Sequence, residues 1–340
     1  MSDNPNKVTI REIAENANVS TSTVSRVLRN SAPVDPEKRD AVLRAVLELD
    51  YRPNIFAQSL ASGQSMTIGV LTQNFGSPFY DGILQGILLG MEGTDYWPLF
   101  VDGRWQPAIE RQGLQFLLER RVDGIIIIGG QTPEALLAEI ATRTPLLVVA
   151  RELTTMPSRS LFVDNYNAAY QLTRYLLEMG HREIAHISAE VVYDETVNDI
   201  HQRLLGYQAA LQDAGIEPDP SLIVKGNLLQ QSGLLAVEML FTRGRPFSAI
   251  FAANDQMAFG ARLGLYRRNI RVPEDISLVG FDDESSAAYM VPPLTTARQP
   301  AAAMGQAAAA AMLALLNGNT VELPNFQAEL IIRESVSRRR

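Results

Sequence analysis

From Met66 onward, short apolar runs alternate along the chain with amphipathic stretches of helix length. The apolar runs lie at 67–72, 98–101, 124–130, 145–150, 183–188, 249–253 and 276–281. Continuous apolar strands joined by helices are typical of parallel sheets that are covered on both faces. Seven such runs exceed one compact sheet, and the segment 151–166 interrupts their rhythm, so the sequence predicts two doubly wound α/β lobes with a cleft between them. Ligands of such folds bind at the carboxyl ends of the strands, facing the crevice.

The composition excludes several classes of protein. The chain has 340 residues, no cysteine and three histidines, which excludes disulfide scaffolds, thiolate metal sites and cysteine nucleophiles. No metal and no cofactor is predicted. The longest apolar run, 307–316, is far shorter than the roughly 18 residues that span a bilayer, and no apolar stretch follows the polar start. We therefore expect a soluble cytoplasmic protein without a membrane partner.

The net charge of −8 argues by itself against a nucleic-acid partner, because acidic proteins are repelled by phosphate. The charge is unevenly distributed, however. Residues 1–65 hold eight basic and eight acidic side chains, so the rest of the chain carries the whole excess. A neutral head on an acidic body is a weak indication that the head binds an anionic partner.

The head is predicted to consist of short helices. Thr9 and Glu12 have the spacing of a capping box that opens the first helix. Asn18 follows at a sharp turn, where its short polar side chain tolerates left-handed backbone. Ser20 caps a second helix over 21–29.

Such a pair of helices is typical of a helix-turn-helix. The outward face of the second helix carries Thr21, Ser22, Ser25 and Arg26, which can reach base edges in a major groove. Arg26 can donate two hydrogen bonds to guanine, and Asn30, which directly follows the helix, is included in the predicted DNA-binding set. On spacing alone, a helical hairpin packed on the body, with Arg26 in solvent, fits equally well.

A third helix is predicted from Asp35 and Pro36 to near Leu49, and a fourth short segment follows Pro53. Leu60 lies in that segment, between two domains. Paired helices from two protomers could wedge this leucine between base steps of a minor groove. The alternative is that Leu60 packs on its own domain, as a lone leucine usually does.

The stretch VTIREIAENANVSTSTVSRVLRNSAPVDPEKRDAVLRAVLELDYRPNIFAQSLASG closely resembles the head of LacI/GalR (lactose/galactose repressor) family regulators. The resemblance continues in order through TIGVL, SPFYDGILQGI, VDGIII, VDN, GHREIAHIS, RLLGYQAAL, AIFAANDQMAFGA, ISLVGFDD and VPPLTTARQP. It implies that Thr21, Ser22 and Arg26 read bases and that Leu60 is the minor-groove lever. It further implies a dimer on a palindromic operator.

The resemblance also implies a domain organisation. Residues 1–52 would form the helix-turn-helix head, 53–65 the hinge helix and 66–340 a core similar to periplasmic sugar-binding proteins. The first lobe of this core would comprise about 66–164 and 295–325, and the second about 165–294 and 326–340.

Effector-binding residues carry over position by position to the predicted cleft. The first lobe and its border contribute Phe79, Tyr80 and Arg151, and the second lobe contributes Asp199, Arg203, Asn254 and Asp282. Asp199 is a weaker candidate, four positions before Arg203. Charged and amide groups that bind hydroxyls beside an aromatic ring are typical of sugar sites.

Structural roles compete with some of these assignments. Asp282 could cap a following helix, Arg151 could pair with Glu152, and we expect one of Asn254 and Asp255 to cap a helix while the other binds.

The chain departs from the family in three places. Asn18 stands where Gly is common, Leu228 stands where relatives have an aromatic residue, and Pro300-Ala301 follows TTARQ where some relatives have another. Stacking of a sugar is therefore expected on the Phe79/Tyr80 side alone.

Three classes of function were weighed. The residues favour a DNA-binding repressor controlled by a mono- or disaccharide, with a purine or another metabolite acting as corepressor as the alternative. A transporter-linked solute receptor is disfavoured by the attached head. An enzyme is disfavoured because the sequence has no GxSxG, GxxxxGK[ST], GxGxxG or HExxH motif. His181 and His201 are interpreted as structural or rim residues.

Dimerisation is predicted through the helix after SPFY, which should expose Ile83, Leu84, Ile87, Leu88 and Met91.

Overall fold

The structure is a computed structural model that describes residues 8–29, 32–51, 63–189 and 199–339. The chain divides into two compact units, residues 1–65 and 66–340. In these described ranges, no helix is both long enough and apolar enough to cross a membrane.

The first unit contains the helices α1 (Ile10–Asn16), α2 (Thr21–Arg29) and α3 (Pro36–Glu48). They pack around a small core in which Ile13, Val24 and Val42 have no exposed surface. The predicted caps are confirmed: Thr9 and Glu12 form a capping box, and the Asp35 carboxylate accepts hydrogen bonds from the backbone of the first turn of α3.

The turn between α1 and α2 is closed by left-handed backbone at Asn18, with φ of 49°. The Asn18 amide donates to the Glu15 carbonyl at 3.3 Å, and the Val19 amide donates to the Ala14 carbonyl at 3.0 Å. This is a Schellman arrangement with asparagine in the usual place of glycine. The family departure at this position therefore leaves the turn intact.

The second unit contains two sheets. The sheet of the first lobe has the order β2-β1-β3-β4-β5, and its described strands are all parallel. The elements of the first-lobe fold, with the C-terminal helix α11, are β1 (Thr67–Thr72), α4 (Pro78–Met91), β2 (Trp97–Asp102), α5 (Pro107–Glu119), β3 (Gly124–Ile128), α6 (Glu134–Ala141), β4 (Leu146–Val149), β5 (Ser160–Leu161) and α11 (Ala301–Leu316).

The sheet of the second lobe has the order β7-β6-β8-β9 and is also parallel. An antiparallel pair, β10 with β11, packs against the same lobe. The elements are α7 (Asn165–Glu178), β6 (Ile184–Ala189), α8 (Asp199–Asp213), β7 (Ile223–Gly226), α9 (Gln230–Arg243), β8 (Ala249–Ala252), α10 (Asp255–Arg267), β9 (Ser277–Val279), β10 (Thr296–Arg298) and β11 (Glu329–Ile331).

The two doubly wound lobes predicted from the apolar runs are confirmed. Each predicted run overlaps an observed strand, whereas β5, β7, β10 and β11 were not predicted. His181 is structural, as interpreted: it is 3% exposed, and its ring nitrogens lie 3.0 Å from the Ser248 hydroxyl and from the Ser337 carbonyl.

The predicted exposure of α4 is wrong for most of the residues named. Ile83, Leu84, Ile87 and Met91 are buried within the chain itself, and of the five only Leu88 is exposed. The alanine-rich α11 covers them, because Gly86 meets the Ala302 backbone and Gly305 meets the Ile83 carbonyl without intervening side chains. Two helices with small residues in contact can bury a face that a sheet alone would leave open.

Candidate functional site

The exposed face of α2 is a candidate DNA-binding surface. Thr21, Ser22 and Arg26 are exposed and Ser25 is half-buried, whereas Val24 and Val27 face the core of the head. The Ser20 hydroxyl accepts a hydrogen bond from the Thr23 amide at 3.2 Å, which fixes the start of this helix. The other two predicted DNA-binding residues, Asn30 and Leu60, lie outside the described residues.

In the second unit, the predicted effector residues lie where strands end. Tyr80 is in the first turn of α4, which follows β1, and Arg151 follows β4. Asn254 follows β8 and Asp282 follows β9, while Asp199 and Arg203 are on α8. The carboxyl ends of parallel strands meet at one edge of a sheet, which is where ligands of such folds usually bind, so these residues form a candidate site.

Strained backbone is concentrated at the same strand ends. Non-glycine residues with positive φ follow β2, β4, β7 and β9. They are Arg104 (54°), Trp105 (53°), Ala150 (55°), Leu228 (67°), Asp282 (110°) and Asp283 (55°). Such conformations are unfavourable for L-residues and cluster at ligand sites.

Arg203 is the fixed cation of the site. It is 4% exposed, its Nε donates to Asn165 Oδ1 at 2.8 Å, and its Nη1 donates to the Ala253 carbonyl at 2.6 Å. The guanidinium carbon lies 3.7 Å from the centre of the Phe281 ring, which adds a cation–π contact. The guanidinium is therefore held in one orientation before any ligand arrives.

Two carboxyl groups share the field of this arginine. Asp282 Oδ1 lies 3.6 Å from Arg203 Nη1 and accepts a hydrogen bond from Gln299 Nε2 at 2.7 Å. Burial raises the pKa of Asp282 to about 6, although Arg203 opposes the shift. Burial likewise raises the pKa of Asp199 to about 7, against the same arginine. Both carboxyl groups therefore titrate close to neutrality.

Tyr80 brings the first lobe to this cluster. Burial raises the pKa of its hydroxyl, and the negative charges of Asp199 and Asp282 raise it further. Those charges can act on Tyr80 only across a short distance in a poorly solvated space. Phe79 lies behind it in the first-lobe core, 9% exposed, with ring centres 5.4 Å apart.

The amide of Asn254 is used within the protein. Its Oδ1 accepts from the Met257 amide at 3.0 Å, which caps α10, and its Nδ2 donates to the Leu228 carbonyl at 3.1 Å. Asp255 is fully buried and accepts from Thr296 Oγ1 at 2.7 Å and from the Glu284 amide at 2.8 Å. Asn254 is thus the cap, and Asp255 connects neighbouring segments instead of facing a ligand.

Backbone carbonyls hold Arg151, whereas Asp282 does not take its alternative structural role. Arg151 Nη1 donates to the carbonyls of Gly130 and Thr132, at 3.2 and 2.7 Å. The Asp282 side chain bonds Gln299 and faces Arg203, and the short helix that follows has no side-chain cap.

The sequence reasoning missed Trp105 and Gln299. Gln299 follows β10 and orients Asp282. Trp105 follows β2 and packs edge-to-face on Tyr80, with ring centres 5.9 Å apart and an angle of 75° between the planes. Its place directly after an apolar run was the signal that could have identified it.

Comparison with known proteins agrees with this architecture. Residues 9–54 match the family described as bacterial regulatory proteins, lacI family, and residues 173–336 match a periplasmic binding protein-like domain. The HTH-type transcriptional regulator AscG of Escherichia coli (strain K12) is 35% identical over 96% of this chain and 98% of its own. The chain belongs to the LacI family.

Solved structures support the same assignment for this LacI-family chain. A lac repressor dimer bound to operator and the anti-inducer ONPF is 29% identical and covers 97% of this chain and 99% of its own, with a TM-score of 0.85. A complex of the transcriptional regulator CelR with cellobiose is 30% identical over 97% of this chain and all of its own, with a TM-score of 0.70. The LacI-family chain is therefore a DNA-binding transcriptional regulator and not an enzyme.

Proposed function

We propose that this LacI-family regulator is a repressor whose operator affinity is controlled by a neutral sugar bound between the lobes of the second unit. The observation that carries the proposal is the cluster of Arg203, Asp199 and Asp282 next to Tyr80. Carboxylates accept hydrogen bonds from sugar hydroxyls, and a fixed guanidinium donates to them. An operator-binding regulator acts in the cytoplasm, where the bacterial chromosome lies.

The charge balance favours a neutral ligand over an anionic one. The groups whose charges act on the Tyr80 hydroxyl are Asp199, Asp282, Glu110 and one cation, Arg203. Arg151 adds a second cation near Asp199, and Glu152 adds a fourth carboxyl group. Four carboxyl groups against two cations repel a phosphate and suit a molecule that is rich in hydroxyl donors.

A thermal-shift panel of monosaccharides, disaccharides, sugar phosphates and purines tests this proposal. A sugar at 100 times its Kd should stabilise the full chain by about 2.7 kcal/mol. The same sugar should then change operator affinity in fluorescence anisotropy, because the two binding events are linked. If a purine or a sugar phosphate stabilises the chain and no neutral sugar does, the proposal of a neutral sugar is wrong and the effector belongs to the class that binds.

The α2 face is proposed to read the operator, and Arg26→Ala tests it. Loss of a bidentate arginine–guanine contact should lower operator affinity by about 1–3 kcal/mol while affinity for scrambled DNA changes little. Anisotropy with a duplex selected from random sequences and its scrambled version measures both. Arg44→Ala, which removes an exposed arginine from α3, is the matched control and should keep the discrimination. Equal discrimination in Arg26→Ala and the control would refute the assignment.

We also propose a homodimer, as the lac repressor neighbour is described. The second lobe exposes large apolar side chains along α10 and the segment after it, namely Leu263 (43%), Tyr266 (67%), Tyr289 (86%) and Val291 (77%). Contiguous exposed apolar surface of this kind marks an interface. On α4, Leu88 and Leu89 extend the proposed contact to the first lobe.

Tyr289→Asp should therefore weaken self-association by at least about tenfold, since a buried charge would be left unpaired in the dimer. Sedimentation at micromolar concentration measures this. Phe116→Asp on α5, at a side chain 38% exposed, is the control and should stay dimeric. A Tyr289→Asp protein that dimerises as tightly as the control would place the interface elsewhere.

A further inference from the structure

Trp105 is held at the ligand edge of the first lobe by an unusual turn. Arg104 and Trp105 both have left-handed backbone, with φ of 54° and 53°. The turn is fixed by a hydrogen bond from the Arg104 amide to Asp102 Oδ1 at 2.9 Å and by another from the Gln106 amide to the Gly103 carbonyl at 2.9 Å. Two consecutive bulky residues in this conformation are unfavourable, so the surrounding contacts must maintain the position of the indole.

The indole lies on the same wall as Tyr80. A Cβ atom placed on Gly129 would lie 3.1 Å from the Tyr80 hydroxyl and 3.5 Å from Trp105 Cη2. Gly129, with φ of 62°, directly follows β3 at the carboxyl end of the sheet. The side chains of Tyr80 and Trp105 and the backbone of Gly129, which has no side chain, therefore form one continuous surface.

Trp105 is, with Tyr80, an aromatic ring on this wall that a ligand can reach. Its side chain is half-buried, so part of the indole stays accessible. Phe281, beside the polar cluster, is fully buried beneath the Arg203 guanidinium, and Phe79 lies in the first-lobe core. Leu228 occupies the strand end in the second lobe where the family resemblance implies an aromatic residue.

Tyr80 joins Trp105 to the polar cluster. Its ring centre lies 5.9 Å from that of Trp105, and its hydroxyl lies in the field of Asp199 and Asp282. Trp105 extends from the turn after β2, which is the edge strand of the sheet. A ligand ring held by the polar cluster therefore meets Tyr80 first, and a second ring attached to it can reach the indole.

We propose that Trp105 is a stacking platform for the second ring of a two-ring neutral glycoside, whose first ring is bound by Arg203, Asp199 and Asp282. This inference rests on the proposed function and specifies its ligand class. Flat apolar faces of sugar rings pack well on an indole, which makes Trp105 a specificity-determining residue for disaccharides over monosaccharides.

The chain offers a direct optical test, because it contains two tryptophans and the other, Trp97, is 72% exposed. In a Trp97→Phe protein, tryptophan emission comes from Trp105 alone. Cellobiose, maltose and lactose are the two-ring probes, and glucose and galactose are the one-ring probes. A disaccharide that binds in calorimetry should shift the Trp105 emission and protect it from acrylamide quenching.

Affinity measurements on variants complete the test. Trp105→Ala should weaken disaccharide binding by about tenfold or more and leave monosaccharide binding within about twofold, while Trp105→Phe, which keeps a ring against Tyr80, should lie between. Circular dichroism checks that each variant is folded.

The results that would contradict this inference differ from those that would contradict the proposed function. Disaccharide binding with unchanged Trp105 emission and unchanged affinity in Trp105→Ala would overturn this inference alone. An equal loss for one-ring and two-ring sugars would overturn the assignment of the second ring. Absence of binding by every neutral sugar to the unmodified chain would overturn the proposed function and this inference with it.

Discussion

Replacing Arg203 by methionine should lower the free energy of unfolding by about 3–5 kcal/mol, the range found when one partner of a buried ion pair is removed. The substitution removes the hydrogen bonds to Asn165 and to the Ala253 carbonyl and leaves Asp282 without its cation. Asp199 also loses the favourable charge of this arginine and keeps only that of Arg151.

A matched control is available on the surface. Arg271 pairs with Asp275 at 2.8 Å, with side chains 70% and 39% exposed. Arg271→Met should change the free energy of unfolding by less than about 1 kcal/mol, as is usual for exposed pairs. Urea denaturation of both variants gives the comparison, and similar losses in the two would show that burial of the Arg203 cluster contributes nothing.

The effect of Arg203→Met should also depend on pH. Loss of the cation raises the pKa values of Asp199 and Asp282 further, because Arg203 opposes their upward shifts in the parent. At pH 8 Asp282 would be charged without its cation and Asp199 would keep only Arg151, whereas at pH 5 protonation neutralises both carboxylates. The deficit in stability should therefore shrink as the pH falls from 8 to 5. A deficit that is constant with pH would mean that lost packing, and not charge, accounts for it.

The features that the sequence predicts correctly are those that depend on the pattern of apolar and polar residues within one segment. The Val24 and Val27 stripe and the polar residues opposite it follow from helical spacing, so the buried and exposed faces of α2 were predicted correctly in outline. The apolar runs similarly located the buried strands of both sheets. These features depend on residues that are close together in the sequence, so one sequence is enough to predict them.

Features set by distant partners were not predictable in the same way. β5 has two residues, and pairing of Ser160 with Val148 defines it more than its own composition does. The apolar face of α4 was visible in the sequence, but its coverage by α11, more than 200 positions later, was not. In the site, family positions located Arg203 and Asp282, whereas the left-handed turn that places Trp105 against Tyr80 has no sequence pattern of its own.

The Asp282→Asn substitution should abolish most of the response to the effector without weakening the operator complex. A hydrogen bond to a charged group contributes about 1.5–3 kcal/mol, so sugar affinity should fall by roughly 10- to 100-fold. Asparagine has nearly the same shape and tolerates the positive φ of 110° at this position. Operator affinity should stay near that of the parent, because the residue lies in the second unit and not in the head.

The same substitution separates binding from folding through pH. Because burial raises the pKa of Asp282 to about 6, its contribution to folding is favourable below the unfolded value and is lost as the pH rises through about 6. Arg203 loses one carboxylate in this variant but keeps Asp199. At pH 8, Asp282→Asn should therefore lose less stability than Arg203→Met does, while binding sugar less well. Asp275→Asn, which removes an exposed carboxylate whose pKa the Arg271 hydrogen bond lowers to about 2, is the control with unchanged sugar affinity.

Sugar binding by the parent should in turn weaken as the pH falls from 8 to 5. Asp199 and Asp282, with pKa values near 7 and 6, lose the charge that accepts hydroxyl hydrogen bonds, and the two groups titrate as a coupled pair. In Asp282→Asn only the Asp199 step of this decline should remain, and it should move to lower pH, because the Asp282 charge no longer raises the pKa of Asp199. Calorimetry across this range decides the matter: an affinity independent of pH in the parent, or a variant that binds sugar as tightly as the parent, would exclude Asp282 from the ligand site.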